Sequence, residues 1–123
     1  MANILVIDDE DYIRKIIRRT LEKDGHIITE AENGEEALKL TKQDNYDIAI
    51  IDLVMPAKGG LETIMELRCN NPGIEIVIVS GKYVNNSSPL ENLTKQFGVK
   101  HIFSKPVKTK ELQDAVNSIK KQI

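Results

Sequence analysis

A chain of 123 residues, 41% hydrophobic and 29% charged, is expected to form one domain over 1–123 with a core that needs neither disulfides nor a structural metal. Its 17 Lys and Arg against 19 Asp and Glu leave a net charge of −2, which gives no basis for a broad attraction to nucleic acid. Apolar runs too short to span a bilayer, a strand-like run that starts too early for a secretory leader, and the single Cys69 together predict no membrane segment and a cytoplasmic home.

The first apolar run, 3–7, ends in Asp8, Asp9 and Glu10. Ile13, Ile16, Ile17 and Thr20 then recur at helical spacing, with Gly25 placed to close that helix and RKIIRR, Arg14 to Arg19, read as its solvated face. A weaker strand is expected at 26–30. Asn33 and Glu36 have the spacing of a capping box at the start of a second helix. The third strand, 47–51, ends in Asp52, and Leu61, Ile64, Met65 and Arg68 mark a third helix.

A fourth strand over 74–79 leads into Ser80 and Gly81, then a polar loop, GKYVNNSS. Ser88 with Glu91, and Pro89 at the favoured first position, start a fourth helix near residue 89 that Gly98 closes. The fifth strand, 100–103, runs into Lys105 and Pro106, and Leu112, Ala115, Val116, Ile119 and Ile123 trace the last helix.

The strands at 3–7, 47–51 and 74–79 are rich in Ile and Val without alternation, as strands covered on both faces are. Five strands alternating with five helices predict an α/β fold, a parallel sheet with right-handed crossovers and helices on both faces. Such sheets bind ligands beyond the carboxyl ends of their strands, where every chemically loaded residue above falls.

In the order 2-1-3-4-5 the first and third strands are neighbours about 4.8 Å apart, which brings Asp9 close to Asp52. Two carboxylates ~5 Å apart repel by about 3 kcal/mol at an effective dielectric constant near 20. Such a site calls for a cation. Oxygen donors without a His or Cys cluster suit a hard divalent ion, Mg²⁺ if phosphate is handled. The fifth strand lies about 10 Å from the third, within reach of a lysine and of no short side chain. Taken singly, an acid pair is most often a helix cap, and a Lys before Pro is usually turn chemistry. Their convergence at four strand ends points to one site.

These residues resemble the receiver domain of two-component response regulators, and the resemblance covers the whole chain. It rests on Asp8 and Asp9; on Asp52, Met55, Pro56 and Gly60; on Ser80; and on Lys105 with Pro106. The resemblance implies a doubly wound, flavodoxin-like sheet in which Asp52 accepts a phosphoryl group from a sensor histidine kinase or histidine phosphotransfer protein. Asp9, Asp52 and the backbone carbonyl of Val54 would hold Mg²⁺, with Asp8 acting through water. Lys105 and Ser80 would bond phosphoryl oxygens, and a cis bond would precede Pro106. The output would be a shift of the face formed by the fourth helix, fifth strand and fifth helix, read by a downstream effector protein. No metabolic turnover, nucleic acid or membrane is implied, and the chain would be a monomer or weak dimer.

Ile102 stands where much of the family has an aromatic residue three positions before the lysine, so another readout is expected; Phe103 faces the other way, and both it and Tyr83 are expected to pack. The stretch between Ser80 and Lys105 is longer than in compact members, and a mobile loop that orders on phosphorylation is the expectation. Val54 and Lys82 occupy positions that flank the path of the hydrolytic water in the family, so the phosphoryl lifetime is expected to respond to Val54. The chain is read as a stand-alone regulator, with a receiver cut from a longer protein as the alternative. A receiver that binds partners without phosphorylation fits less well, given the intact acids, Ser80 and Lys105. A haloacid-dehalogenase-type phosphatase would need an Asp in place of Val54, and a flavin binder a phosphate-cradling loop where Asp8, Asp9 and Glu10 stand.

Overall fold

The computed structural model describes residues 1–53, 59–81, 95–99 and 101–120, apart from the side chains of Ser80 and Lys120. Five strands, β1 (Asn3–Ile7), β2 (Ile27–Ala31), β3 (Ile48–Ile51), β4 (Glu75–Ser80) and β5 (His101–Ser104), form one parallel sheet in the order β2-β1-β3-β4-β5. The helices α1 (Asp11–Glu22), α2 (Gly34–Gln43), α3 (Gly60–Asn70) and α4 (Thr109–Lys120) connect and cover them. In this numbering α4 is the last of the expected helices. Most of the expected helix near residue 89, with Ser88, Pro89, Glu91, Tyr83 and the loop after Gly81, lies outside the described residues, as does Ile123; its end is described, with Lys95 and Gln96 helical just before Gly98.

The unalternating strands are explained by two cores. Leu5, Ile7, Ala49, Ile51, Ile76 and Ile78 pack on one face against Ala37 and Leu38 of α2 and Ile64 and Leu67 of α3. Their neighbours Ile4, Val6, Ile48, Ile50, Val77 and Val79 pack on the other face against Ile17 and Leu21 of α1 and Leu112, Val116 and Ile119 of α4. Successive side chains point to opposite faces, so both must be apolar when helices cover both.

Local signals hold where a backbone group needs a partner. The Glu36 amide donates to Asn33 Oδ1 at 2.8 Å, and the Glu36 carboxylate accepts from the Glu32 amide at 3.2 Å, one residue earlier than a standard capping box. Gly25 and Gly98 have φ of 86° and 72°, the left-handed conformation expected at both turns.

Two helix faces differ from expectation. Ile16 is 46% exposed and Met65 49% exposed, while Arg14 and Thr63 are buried; Thr20 is buried as expected. Thr63 is accommodated because its hydroxyl donates to the Gly59 carbonyl at 3.0 Å. Arg14 is accommodated by acids: Nε lies 3.0 Å from Glu30 Oε1 and an NH2 nitrogen 2.7 Å from Asp11 Oδ1. The RKIIRR stretch is therefore not simply a solvated face, since Arg14, Lys15 and Arg18 all grip Glu30 of β2. The buried face of α1 thus holds Arg14 with its acidic partners beside Ile17 and Leu21.

Burial alone would raise the Glu30 pKa, but bonds from Arg18, Arg14 and Lys15 outweigh it and hold the carboxyl below its usual range. Such a group stabilises the fold above its unfolded pKa of about 4.5, and that stability is lost as pH falls through the lower folded value. Glu30→Gln is expected to cost about 1–2 kcal/mol at neutral pH in urea melts, allowing for the exposure of Lys15 and Arg18, with the gap closing in acid.

Candidate functional site

The strand register places the loaded residues at one edge. Ile7 pairs with both Ala31 and Ile51, so Asp8 and Asp52 leave adjacent strands at the same level. Each still holds the ladder by its amide: Asp8 N donates to the Ala31 carbonyl at 3.1 Å and Asp52 N to the Ile7 carbonyl at 3.0 Å. Both side chains are buried, whereas Asp9 is exposed where the chain bends.

Lys105, one residue beyond β5, reaches across the carboxyl end of β4. Its Nζ lies 2.8 Å from Asp8 Oδ2, 2.9 Å from Glu10 Oε1 and 3.0 Å from Asp52 Oδ2. Burial would lower the lysine pKa, but the bonds to Asp8, Glu10 and Asp52 prevail and hold it above its ordinary value. Asp8 shows the opposite balance. Burial raises its pKa, and the bonds from Lys105 and the Glu10 amide only partly offset that. The Lys105–Pro106 bond is cis, as expected.

Glu10 was not singled out as a site residue in the sequence, where it reads as the third acid of a helix-starting run. It does stand at the N-cap of α1, but its side chain caps nothing and is spent on Lys105 instead. The acid run was the available signal; the direction of the side chain was not. Asp8, Asp9, Glu10 and Asp52 each place a carboxylate oxygen within 4.8 Å of the others. Such a set of hard oxygen donors, beside the Lys105 ammonium, could hold a divalent metal ion.

Gly60 begins α3 and supports the same edge. A Cβ there would strike Leu53 Cα and sit 2.7 Å from the Asp52 carbonyl oxygen. Gly60→Ala is expected to destabilise by about 1–3 kcal/mol in thermal or urea unfolding and to shift the backbone beside Asp52. At Gly81 a Cβ would lie 3.8 Å from Lys105 Cδ, an ordinary contact within the chain.

The remaining site residues are only partly placed. Ser80 ends β4 opposite Ser104, while Val54, Met55, Pro56 and Lys82 lie outside the described residues. Ile102 packs with Phe97 against the α2–α3 core, and Phe103 packs against the opposite core with its ring 6.2 Å from that of His101.

A parallel sheet in this order, with acids after β1 and β3 and a lysine after β5, defines a doubly wound domain whose reactive edge is carboxylate-rich. The chain belongs to the response regulator receiver domain family, whose family model matches residues 4–117. The chemotaxis protein CheY of Halobacterium salinarum is 28% identical over 116 residues, 94% of each chain. Response regulator UvrY of Escherichia coli is 31% identical over 121 residues, which cover 97% of this chain and 54% of UvrY. The chain thus spans about half the length of that relative.

Among solved structures, the response regulator TrrA of Thermotoga maritima in complex with Mg²⁺-BeF has a TM-score of 0.83 at 34% identity, covering 97% of this chain and 99% of TrrA. CheY4 of Vibrio cholerae shares the fold, with a TM-score of 0.87 at 24% identity over 97% of this chain and 98% of its own. Among the described residues no helix is long and apolar enough to cross a membrane.

Proposed function

We propose that this receiver is a phosphoacceptor switch in which Asp52 takes a phosphoryl group from a phosphohistidine on a sensor kinase or phosphotransfer protein. The observation that carries this reading is the placement of Lys105 Nζ 3.0 Å from Asp52 Oδ2, in a pocket with excess carboxylate. An Asp52 oxygen attacks phosphorus in line, the P–N bond breaks, and the imidazole nitrogen leaves with the electron pair. Phosphoryl transfer depends chiefly on positioning and charge neutralisation. The contact of Lys105 with Asp52 supports assigning it one oxygen of the transferred group, and Ser80, at the end of the neighbouring strand, is assigned a second.

Asp9, Asp52 and the Val54 carbonyl are assigned to Mg²⁺, with Asp8 acting through water. The ion, when bound, neutralises charge on the attacking and transferred oxygens. Val54 and Lys82 are assigned to the path of the hydrolytic water. Once modified, the Asp52 carboxylate charge is replaced by a phosphoryl group carrying up to about two negative charges, a net gain of roughly one, which draws Lys105 away from Glu10 and Asp8. The consequence is a population shift at β5 and the adjoining helices, read by a separate effector protein in the cytoplasm. Position 102 is a partly buried isoleucine packed against the core, so the readout does not use an aromatic side chain there.

The test is incubation with a small acyl phosphate and Mg²⁺, followed by intact mass. One added phosphoryl group that is absent from Asp52→Ala supports the reading, and no addition to the parent chain refutes it.

A further inference from the structure

Asp8 and Asp9 are consecutive at a strand end, and in a continuing strand they would face opposite sides of the sheet. Their carboxylate oxygens nevertheless come within 4.8 Å of each other. The chain must turn between them and be held in that turn. Two bonds do so: the Glu10 amide folds back onto Asp8 Oδ1 at 2.9 Å, and the buried Arg14 guanidinium donates to the Asp8 carbonyl oxygen.

Arg14 is itself fixed from three directions. Beyond the Asp8 carbonyl, its Nε donates to Glu30 of β2 at 3.0 Å and its NH2 to Asp11 of α1 at 2.7 Å. A planar fork with donors on three nitrogens satisfies these acceptors at once, whereas a lysine ammonium is a single compact centre on a flexible stem. The β1 end, β2 and the first turn of α1 therefore meet at one rigid group.

We propose that Arg14 is a positioning residue for the acid pair: its bond to the Asp8 carbonyl holds the bend that turns Asp8 and Asp9 into one crevice, and so sets the affinity for a divalent cation. The inference rests on the reading of this edge as a Mg²⁺-dependent phosphoacceptor site. Arg14 touches no reacting atom. It acts through the backbone, as outer groups that orient metal ligands do, and removing such groups costs about 10–100-fold in metal affinity.

A purely structural role, gluing α1 to β2 through Glu30, is separable from this one. Arg18 also grips Glu30, at 2.7 Å, and donates to Glu22 on its own helix, away from the Asp8 turn. Calorimetric titration of the full chain with MgCl₂, alongside urea melts, reads the two roles independently. Arg14→Met is expected to raise the Mg²⁺ Kd about tenfold or more. Arg14→Lys, which keeps a cation beside Glu30 and the packing of the stem, is expected to fold and still bind Mg²⁺ more weakly than the parent. Arg18→Gln should lower the melting midpoint and leave the Kd within about twofold, since an exposed pair contributes little beyond stability. Unchanged Mg²⁺ affinity in Arg14→Lys, or an equal loss in Arg18→Gln, would overturn the inference while leaving the phosphoacceptor reading intact. A parent chain that binds no Mg²⁺ would overturn both.

Discussion

Asp52→Asn is expected to abolish phosphoryl uptake and, in the same chain, to raise stability when Mg²⁺ is withheld. The first effect follows from losing the nucleophile: an amide oxygen with no negative charge does not displace the donor, so the added mass falls from one phosphoryl group to none. The second follows from the crowding of Asp8, Asp9, Glu10 and Asp52 within 4.8 Å of one another. At an effective dielectric constant near 20, each pair of charges at that separation repels by about 3 kcal/mol, and Asp52 faces three such neighbours as well as the attractive Lys105 ammonium. Most of that sum is already relieved by screening and relaxation, so the expected gain is on the order of 1 kcal/mol, typical of relieving a functional site. Urea melts in a chelator measure it. Added Mg²⁺ should raise the parent above its metal-free value by more than it raises the variant, because the ion binds the folded parent more tightly. A variant that melts below the parent in chelator would show that the Lys105 contact outweighs the repulsion.

Lys105→Met has the opposite sign. The substitution keeps an unbranched stem but removes the ammonium that lies within 3.0 Å of Asp8, Glu10 and Asp52. Breaking a buried charge cluster by removing one partner costs about 3–5 kcal/mol, and the low end is expected here because Glu10 is 43% exposed. Asp8 already has a raised pKa through burial, and without Lys105 it rises further. A carboxyl whose folded pKa exceeds its unfolded one carries no penalty below the ordinary value of 3.8; the penalty grows as pH rises from there and is complete above the folded value. The deficit of Lys105→Met should therefore be largest at neutral pH, shrink in mild acid, and shrink also on adding Mg²⁺, which supplies the missing positive charge. Urea melts at two pH values, each with Mg²⁺ and with chelator, check all three. A deficit that ignores both pH and metal would assign Lys105 a packing role.

Much of this was readable before any coordinates. Runs such as ILVI and IAII, apolar at successive positions, specify strands covered on both faces, and their loaded ends locate the reactive edge. Gly25, Gly98 and the Asn33–Glu36 pair were equally legible, because each answers a local backbone need that neighbours in sequence satisfy. The phase of α1 was not. Ile13, Ile16 and Ile17 allow more than one apolar stripe, and Glu30, on a strand beyond the next turn, decides that Arg14 goes in while Ile16 stays out.

The amino-acid sequence by itself determined the alternation of strands and helices and the kinds of charge at the strand ends, because both depend on periodicity and on residues next to one another. Only the tertiary structure decided which charges meet: that Glu10 joins Asp8 and Asp52 on Lys105, that Gly60 must lack a side chain beside Leu53, and that Arg14 closes on the Asp8 carbonyl. Those contacts join elements far apart in the chain. They exist because strand order and helix rotation bring the groups together, and burial then makes each charge find a partner.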